Sequence, residues 1–242
     1  PLRQGPGEHV DLTLEHPHVA VLGLHRQVVD VLEDIDEMTD DFGDVSGFDA
    51  LPQPRTTVLA DGASSIDRPR ITVLQARDLR LAVFGDATLS FPTSFHQGIY
   101  FQNGVPFGLW QDKGGPCGVL AAVQAHVIKR LGRKDVLACT SEQREASLVQ
   151  ALVDIFFACS PTGSTCRIAS PGRPGEAPAT RAPEYKPDGY TELMAVYDFS
   201  SRAEAQAYVA RHLDDFSDAG GRGVIWCVYS AVLSRGVTAM RT

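Results

Sequence analysis

Long apolar runs are missing from the 242 residues. That excludes a bilayer-spanning helix, which needs about 20 consecutive apolar residues. The opening Pro1-Leu2-Arg3-Gln4-Gly5-Pro6-Gly7 is not a basic stretch leading an apolar one, so no secretory leader is read there. With no initiator Met, the chain is expected to be a fragment or a processed product. Cysteine is sparse and odd in number: Cys117, Cys139, Cys159, Cys166 and Cys227, with no CxxC and no paired His/Cys spacing. A disulfide framework and a zinc site are both disfavoured, and a reducing compartment, cytoplasm or nucleus, is expected. Basic charge is short as well. The formal net charge is −8, and residues 1–69 hold 14 acids against 4 bases while the remainder holds 16 against 18. The body is near neutral and has no basic stripe for nucleic acid. Neither nucleic acid, membrane, metal nor cofactor is expected as a partner.

What is present instead is one dense stretch. Gln111-Asp112-Lys113-Gly114-Gly115-Pro116-Cys117-Gly118 runs into Val119-Leu120-Ala121-Ala122-Val123-Gln124-Ala125. A glycine turn delivers a cysteine to the start of a helix. A thiol attacks as its thiolate, and free cysteine, with a pKa of about 8.5, is mostly protonated at neutral pH. The first turn of a helix has unpaired N–H groups and a partial positive charge, which favour the anion. Pro116 suits the first turn because it has no N–H to leave unpaired. Gly114, Gly115 and Gly118 let backbone and substrate come close. Acyl transfer through a tetrahedral intermediate calls for donors aimed at the oxyanion. The side-chain amide of Gln111 and the backbone N–H of Cys117 supply two. Cys117 is therefore a candidate nucleophile and Gln111 a candidate oxyanion-hole residue. Two plainer readings fit the same residues: an inert buried cysteine, or a glycine turn that binds phosphate at a helix start. The second lacks the Lys-Ser/Thr pair that follows the glycines of a P-loop.

Residues 1–69 read as an acidic, largely disordered leader, with a helix from Val19 to Met38 and a Gly-, Pro- and Ser-rich linker over 43–69. His9, His16 and His18 read as part of a solvated tail rather than a metal site. The body, 70–242, opens with helical spacing from Thr72 to Phe84, stopped by Gly85. Asn103-Gly104 between apolar runs predicts a hairpin pairing Phe95–Phe101 with Val105–Trp110, which places Gln111 just past a strand end. The Cys117 helix should run to Leu131, stopped by Gly132. It should bury Leu120, Val123, Val127 and Leu131, use Ala121, Ala122 and Ala125 for close packing, and form the centre of the domain. Thr140 and Gln143 predict a capping box for a helix through Leu148, Leu152, Ile155 and Cys159. Cys139, Cys159 and Cys166 then read as structural. A short strand is expected over Thr165 to Ala169. Five prolines mark 170–188 as an exposed insertion. Tyr190 to Phe199 is strand-like, and Ser201 with Glu204 caps a helix to about Phe216. Val224 to Leu233 is apolar throughout, a buried helix or strand, with the Ser234-Arg235-Gly236 ending favouring helix. The fold class is α+β, a helix carrying the cysteine plus a small sheet.

The block Gly114-Gly115-Pro116-Cys117-Gly118-Val119-Leu120-Ala121-Ala122-Val123-Gln124-Ala125 resembles the signature of the MINDY deubiquitinases, in the branch with the GGPCGVLAAVQ block. Leu109-Trp110-Gln111 and the later Gly223-Val224-Ile225-Trp226-Cys227-Val228-Tyr229-Ser230-Ala231-Val232-Leu233-Ser234-Arg235 fit the same family. The resemblance covers about residues 70–242, which would be the N-terminal part of a catalytic domain. It implies a papain-like cysteine peptidase fold, incomplete here, and hydrolysis of isopeptide bonds in polyubiquitin with preference for lysine-48-linked chains. It implies Cys117 as nucleophile and Gln111 as the oxyanion-hole residue.

Such an enzyme needs a histidine to take the thiol proton and later protonate the leaving amine. His126 lies nine residues along the Cys117 helix, about 13 Å away at 1.5 Å per residue, and cannot reach. His212 shares an apolar helical face with Ala205, Val209 and Phe216, the setting of a core histidine. His96 precedes the cysteine, the wrong order for the family, whose catalytic histidine lies well downstream. That histidine is expected beyond Thr242. Without its strand, a sheet edge should be left exposed. A catalytically incomplete pseudoenzyme that binds ubiquitin chains is the alternative.

Overall fold

The computed structural model describes residues 70–89, 91–105, 107–112, 114–135, 138–172 and 182–240. The leader 1–69, with its expected helix from Val19 to Met38, lies outside these residues. Helix α1, Val73–Phe84, starts at a reciprocal capping box. The Thr72 hydroxyl accepts the Gln75 N–H at 3.2 Å, and the Gln75 amide oxygen accepts the Thr72 N–H at 3.0 Å. Helix α2, Cys117–Asp135, loses helical geometry at Gly132 (φ 73°, ψ 158°), the stop that the sequence marks. Helix α3, Ser141–Cys159, begins with the Thr140/Gln143 box predicted for it. Strands β1, Cys166–Ser170, and β2, Ala195–Phe199, pair antiparallel with Ile168 opposite Tyr197. Helices α4, Arg202–Arg211, α5, Leu213–Ser217, and α6, Gly223–Arg235, complete the order. The architecture is α+β, helices around one small antiparallel sheet.

Residue spacing puts the Cys117 helix at the centre, but the structure gives that place to α6. Val224, Ile225, Trp226, Cys227, Val228, Tyr229, Ser230, Val232 and Leu233 are all buried, and α6 packs against β1, α3, α5 and α1. A helix that is apolar all round is a core helix, and this one has no polar stripe to offer water. Helix α2 is amphipathic instead. Leu120, Val123, Val127 and Leu131 are buried as spaced, and the helix packs mainly on α3. Ala121 and Ala125 face solvent with Lys129 and Arg130, so of the three alanines only Ala122 is packed.

The exposed sheet edge that the sequence suggests is covered on the β1 side. The N–H groups of β1 that point away from β2 are taken by serines of α6. Arg167 N–H donates to Ser234 Oγ at 2.8 Å and Ala169 N–H to Ser230 Oγ at 2.9 Å. Helix and edge strand thus satisfy each other's polar groups inside the core.

Three further expectations change. The hairpin is shorter than predicted: Phe101 bridges Leu109 around Asn103 and Gly104, while Phe95 ends a 3₁₀ turn, Thr93–Phe95. The backbone between them is used elsewhere. Ile99 N–H donates to Phe216 O at 2.8 Å, and Gln97 O accepts Val224 N–H at 3.1 Å, which draws the chain onto the α5–α6 junction. A Cβ on Gly98 would sit 2.1 Å from Asp218 O, so only glycine permits this approach. The helix expected from Ser201 to Phe216 is two helices. His212 (φ −115°, ψ 28°) leaves helical geometry and shares its N–H between the Tyr208 and Val209 carbonyls. Only half of the Ser201/Glu204 box forms, with the Ser201 hydroxyl accepting the Glu204 N–H at 3.4 Å. Tyr190 to Phe199 is strand only from Ala195, after a 3₁₀ turn at Thr191–Leu193.

Of the 170–188 segment, residues 173–181 lie outside the described residues. Of the described flanks, Pro183, Glu184, Lys186 and Pro187 are exposed, while the two ends are anchored. Ser170 is buried, and Asp188 pairs with the buried Arg80 of α1, their side chains only 6% and 2% exposed.

Candidate active site

Cys117 is the first residue of α2. Its backbone N–H is one of the first four of the helix, which have no partner within it. Pro116 stands one place earlier than first-turn chemistry suggests. It is buried, and its carbonyl accepts the Leu120 N–H at 3.1 Å, the first bond of the helix. The Cys117 thiol is exposed, and its S–H donates weakly to Gly115 O at 3.8 Å. This disposes of the inert buried reading, since the thiol faces water at a helix N-terminus.

The loop before Cys117 is fixed by glycine at one position in particular. Gly115 has φ 140°, and a Cβ there would lie 2.5 Å from Ser94 Oγ. Gly114 faces open space. Gln111 is exposed at the other end of the loop. The backbone is held on both sides of it: Trp110 N–H donates to Tyr100 O at 2.8 Å, and Asp112 N–H donates to the Gln97 side-chain oxygen at 3.0 Å. The Asp112 carboxylate accepts the Trp110 indole N–H at 2.6 Å and the Tyr100 hydroxyl at 3.0 Å. Desolvation and the Asp112 carboxylate hold the Tyr100 phenol above its ordinary range, so it remains a donor. Helix α2 ties back to the hairpin, with Gln124 Oε1 accepting the Leu109 N–H at 3.0 Å. Trp110 itself is 45% exposed beside Gln111.

The other thiols are poor competitors. Burial pushes Cys159 up to about 11, Cys166 up to about 12 and Cys227 up to about 12. At neutral pH these three are thiols, not thiolates. Iodoacetamide at pH 7.5 is therefore expected to modify Cys117 at least tenfold faster than any of these three. Peptide mapping of time points checks this, and core thiols labelled at the same rate would contradict it.

Each of the three histidines weighed as a base has contacts of its own. His126 is buried on α2, and burial lowers its pKa, with the Asp154 carboxylate acting in the opposite direction. His212 stacks on Tyr208, ring centroids 4.5 Å apart, and lies 3.9 Å from Asp215 Oδ2. His96 is exposed, its ring 6.1 Å from Phe91 and 6.2 Å from Tyr190.

Two further polar residues tie this region together: Gln124 closes the GGPCGVLAAVQ block, whereas Gln97 belongs to no motif. Gln97 is buried, 1% exposed, and spans from Ser94 O to the Asp112 N–H. Gln124 spans from α2 to the hairpin. Gln97 stands between His96 and Gly98, and nothing in the local sequence marks it.

The family described as "Deubiquitinating enzyme MINDY-3/4, conserved domain" matches residues 80–242. The protein named "Probable ubiquitin carboxyl-terminal hydrolase MINDY-4" of Xenopus tropicalis is 34% identical over 189 residues, which is 75% of this chain and 25% of that relative. The protein of the same name from Homo sapiens is 28% identical over 207 residues, 78% of this chain and 25% of the relative. "Ubiquitin carboxyl-terminal hydrolase MINDY-3" of Bos taurus is 28% identical over 167 residues, 58% of this chain and 37% of the relative. No solved structure matches the chain. The match spans about a quarter of the length of the MINDY-4 relatives. A cysteine at a helix start, a pinned glutamine loop before it and this likeness over two thirds of the residues lead to one assignment: the chain belongs to the MINDY-3/4 family of deubiquitinating enzymes.

Proposed function

We propose that this chain supplies the nucleophile and oxyanion hole of a papain-like deubiquitinase acting on polyubiquitin, with preference for lysine-48-linked chains. The observation that carries this reading is the exposed Cys117 thiol at the first residue of α2, directly after a loop held on both sides of Gln111. In the proposed reaction Cys117 Sγ attacks the isopeptide carbonyl carbon. The C–S bond forms, and the carbonyl oxygen takes up negative charge between the Gln111 side-chain amide and the Cys117 N–H. As the carbonyl re-forms, the C–N bond breaks and the lysine amine leaves with the proton that the base took from the thiol. Water then hydrolyses the thioester and releases the carboxylate. The base is proposed to be a histidine beyond Thr242. The burial of His126 and the stacking of His212 on Tyr208 support this.

The relatives are named as ubiquitin carboxyl-terminal hydrolases, which favours this chemistry over any other use of the thiol. No described helix is long and apolar enough to cross a membrane, and all five cysteines are free. Free thiols fit a reducing compartment, and we place the protein in the cytoplasm or nucleus. The test is to incubate lysine-48-linked and lysine-63-linked tetraubiquitin with this chain and with the longest natural product that contains it. Loss of lysine-48-linked chains with the longer product alone is the expected result. Equal loss of both linkages would remove the linkage preference. Chain binding without turnover by either protein would overturn the catalytic reading.

A further inference from the structure

We infer that Gln97 is a positioning residue for the proposed oxyanion hole: it locks the Gln111-Asp112 backbone onto the α5–α6 layer of the fold. The inference rests on the deubiquitinase reading above. Gln97 acts through the backbone, because both of its side-chain bonds go to main-chain groups.

Both functional groups of the Gln97 side chain are spent on main chain. Its Nε2–H donates to Ser94 O, and its Oε1 accepts the Asp112 N–H at 3.0 Å. Its own carbonyl accepts the Val224 N–H at the start of α6 at 3.1 Å. One residue thus joins three segments: the buried core helix, the 3₁₀ turn at Thr93–Phe95, and the loop that carries Gln111. The joint is rigid on the core side. Gly98 lies against Asp218 O with no room for a Cβ, and Ile99 N–H is bonded to Phe216 O at 2.8 Å. The same turn meets the other end of the loop, because Ser94 is the residue that a side chain on Gly115 would strike. The 94–97 turn therefore bonds to Asp112 and lies against Gly115, and Gln97 makes the bond at the Gln111 end. An oxyanion donor contributes only when it points at the place where charge develops. A displacement of about 1 Å in such a loop is enough to lower the rate roughly 100-fold.

Substitution separates this role from a structural one. Gln97→Met keeps the volume and removes both bonds. Gln97→Glu keeps the acceptor for the Asp112 N–H and introduces a buried charge beside Ser94 O, so it is the less stable of the two. A positioning role predicts an order opposite to stability. With the longest natural product as enzyme and lysine-48-linked diubiquitin as substrate, Gln97→Met should lower kcat by about 10- to 100-fold with KM within about twofold. Gln97→Glu should recover at least a third of the wild-type kcat in spite of its lower melting temperature. Iodoacetamide labelling of Cys117 should keep its wild-type rate in both, which shows that the helix start is intact. Activity that follows the melting temperatures, or an unchanged kcat in Gln97→Met, would overturn the inference. Should the wild type show no turnover at all, the deubiquitinase reading fails, and hydrogen exchange then decides for Gln97. Its loss should speed exchange of the Asp112 amide at least tenfold without changing the amides of α2. Unchanged exchange would refute the clamp.

Discussion

In the longest natural product that contains this chain, replacement of Cys117 by alanine is expected to abolish the proposed polyubiquitin cleavage, lowering kcat by on the order of 10⁴-fold or more. Loss of the nucleophile removes the covalent route altogether. Loss of an oxyanion donor only weakens one step, so Gln111→Ala should cost about 10²- to 10³-fold. The two substitutions should differ in magnitude and agree in one other respect, which is that neither should unfold the protein. Cys117 is exposed and its thiol makes a single weak contact at 3.8 Å. The side chain of Gln111 is exposed as well. Melting temperatures within about 2 °C of wild type are therefore expected, a limit that corresponds to less than about 1 kcal/mol for a chain of this size. Cleavage retained by Cys117→Ala would transfer the nucleophile to another thiol, and Cys139 is the one whose burial is least complete among the remaining four together with Cys159.

The largest effect on stability should come from Arg80, far from any motif. Its side chain is 2% exposed and lies 3.4 Å from Asp188 Oδ2. It donates to Lys186 O at 2.7 Å and sits over the rings of Phe91 and Tyr185, 5.4 and 5.7 Å from their centroids. Two carboxylates share this site. Burial pushes Asp188 above the usual carboxylate range, against hydrogen bonds from Thr191 and Tyr190 that favour the anion. Burial also works against the charge on Glu192. There the Tyr185 hydroxyl and the N–H groups of Glu192, Gly189 and Asp188 more than offset it, and the group stays below the usual range. Arg80→Met would leave Asp188 buried without its cation, beside the second carboxylate of Glu192. Loss of one member of a buried pair costs about 3–5 kcal/mol, which is roughly 10 °C or more in melting temperature here. The double variant Arg80→Met with Asp188→Asn should recover part of that loss, since it removes the orphaned charge too. Thermal melts of the four proteins form a cycle that isolates the pair. A single variant that melts with the wild type would show that the network is not needed.

Local signals were readable in the sequence and distant ones were not. The Thr140/Gln143 box and the Gly132 stop are spelled out within a few residues, and the structure has both. The stripe Leu120, Val123, Val127, Leu131 follows from period alone. The apolar run of α6 carries no period, because every side of the helix is buried, so helix and strand could not be separated by pattern. Its central position was illegible for the same reason. Phe95 has strand-like neighbours, yet the backbone bonds that move it out of the hairpin reach Phe216 and Val224, more than 100 residues on. Arg80 meets Lys186 and Asp188 across a similar gap. The candidate site divides along the same line. Cys117 and Gln111 stand in one contiguous block. The residue that holds their loop, Gln97, is 15 positions from its partner and looks like one more polar residue in a turn.

The two tryptophans of the chain stand in opposite surroundings. Trp226 is sealed in α6 at 4% exposure, whereas Trp110 is open to water with its indole N–H fixed on Asp112. The molecule thus carries two intrinsic optical probes with separate duties. Acrylamide would quench the emission of Trp110 and leave that of Trp226, so the two can be followed independently. The shielded indole signals whether the core is assembled, and the open one signals whether anything has come to rest beside Gln111.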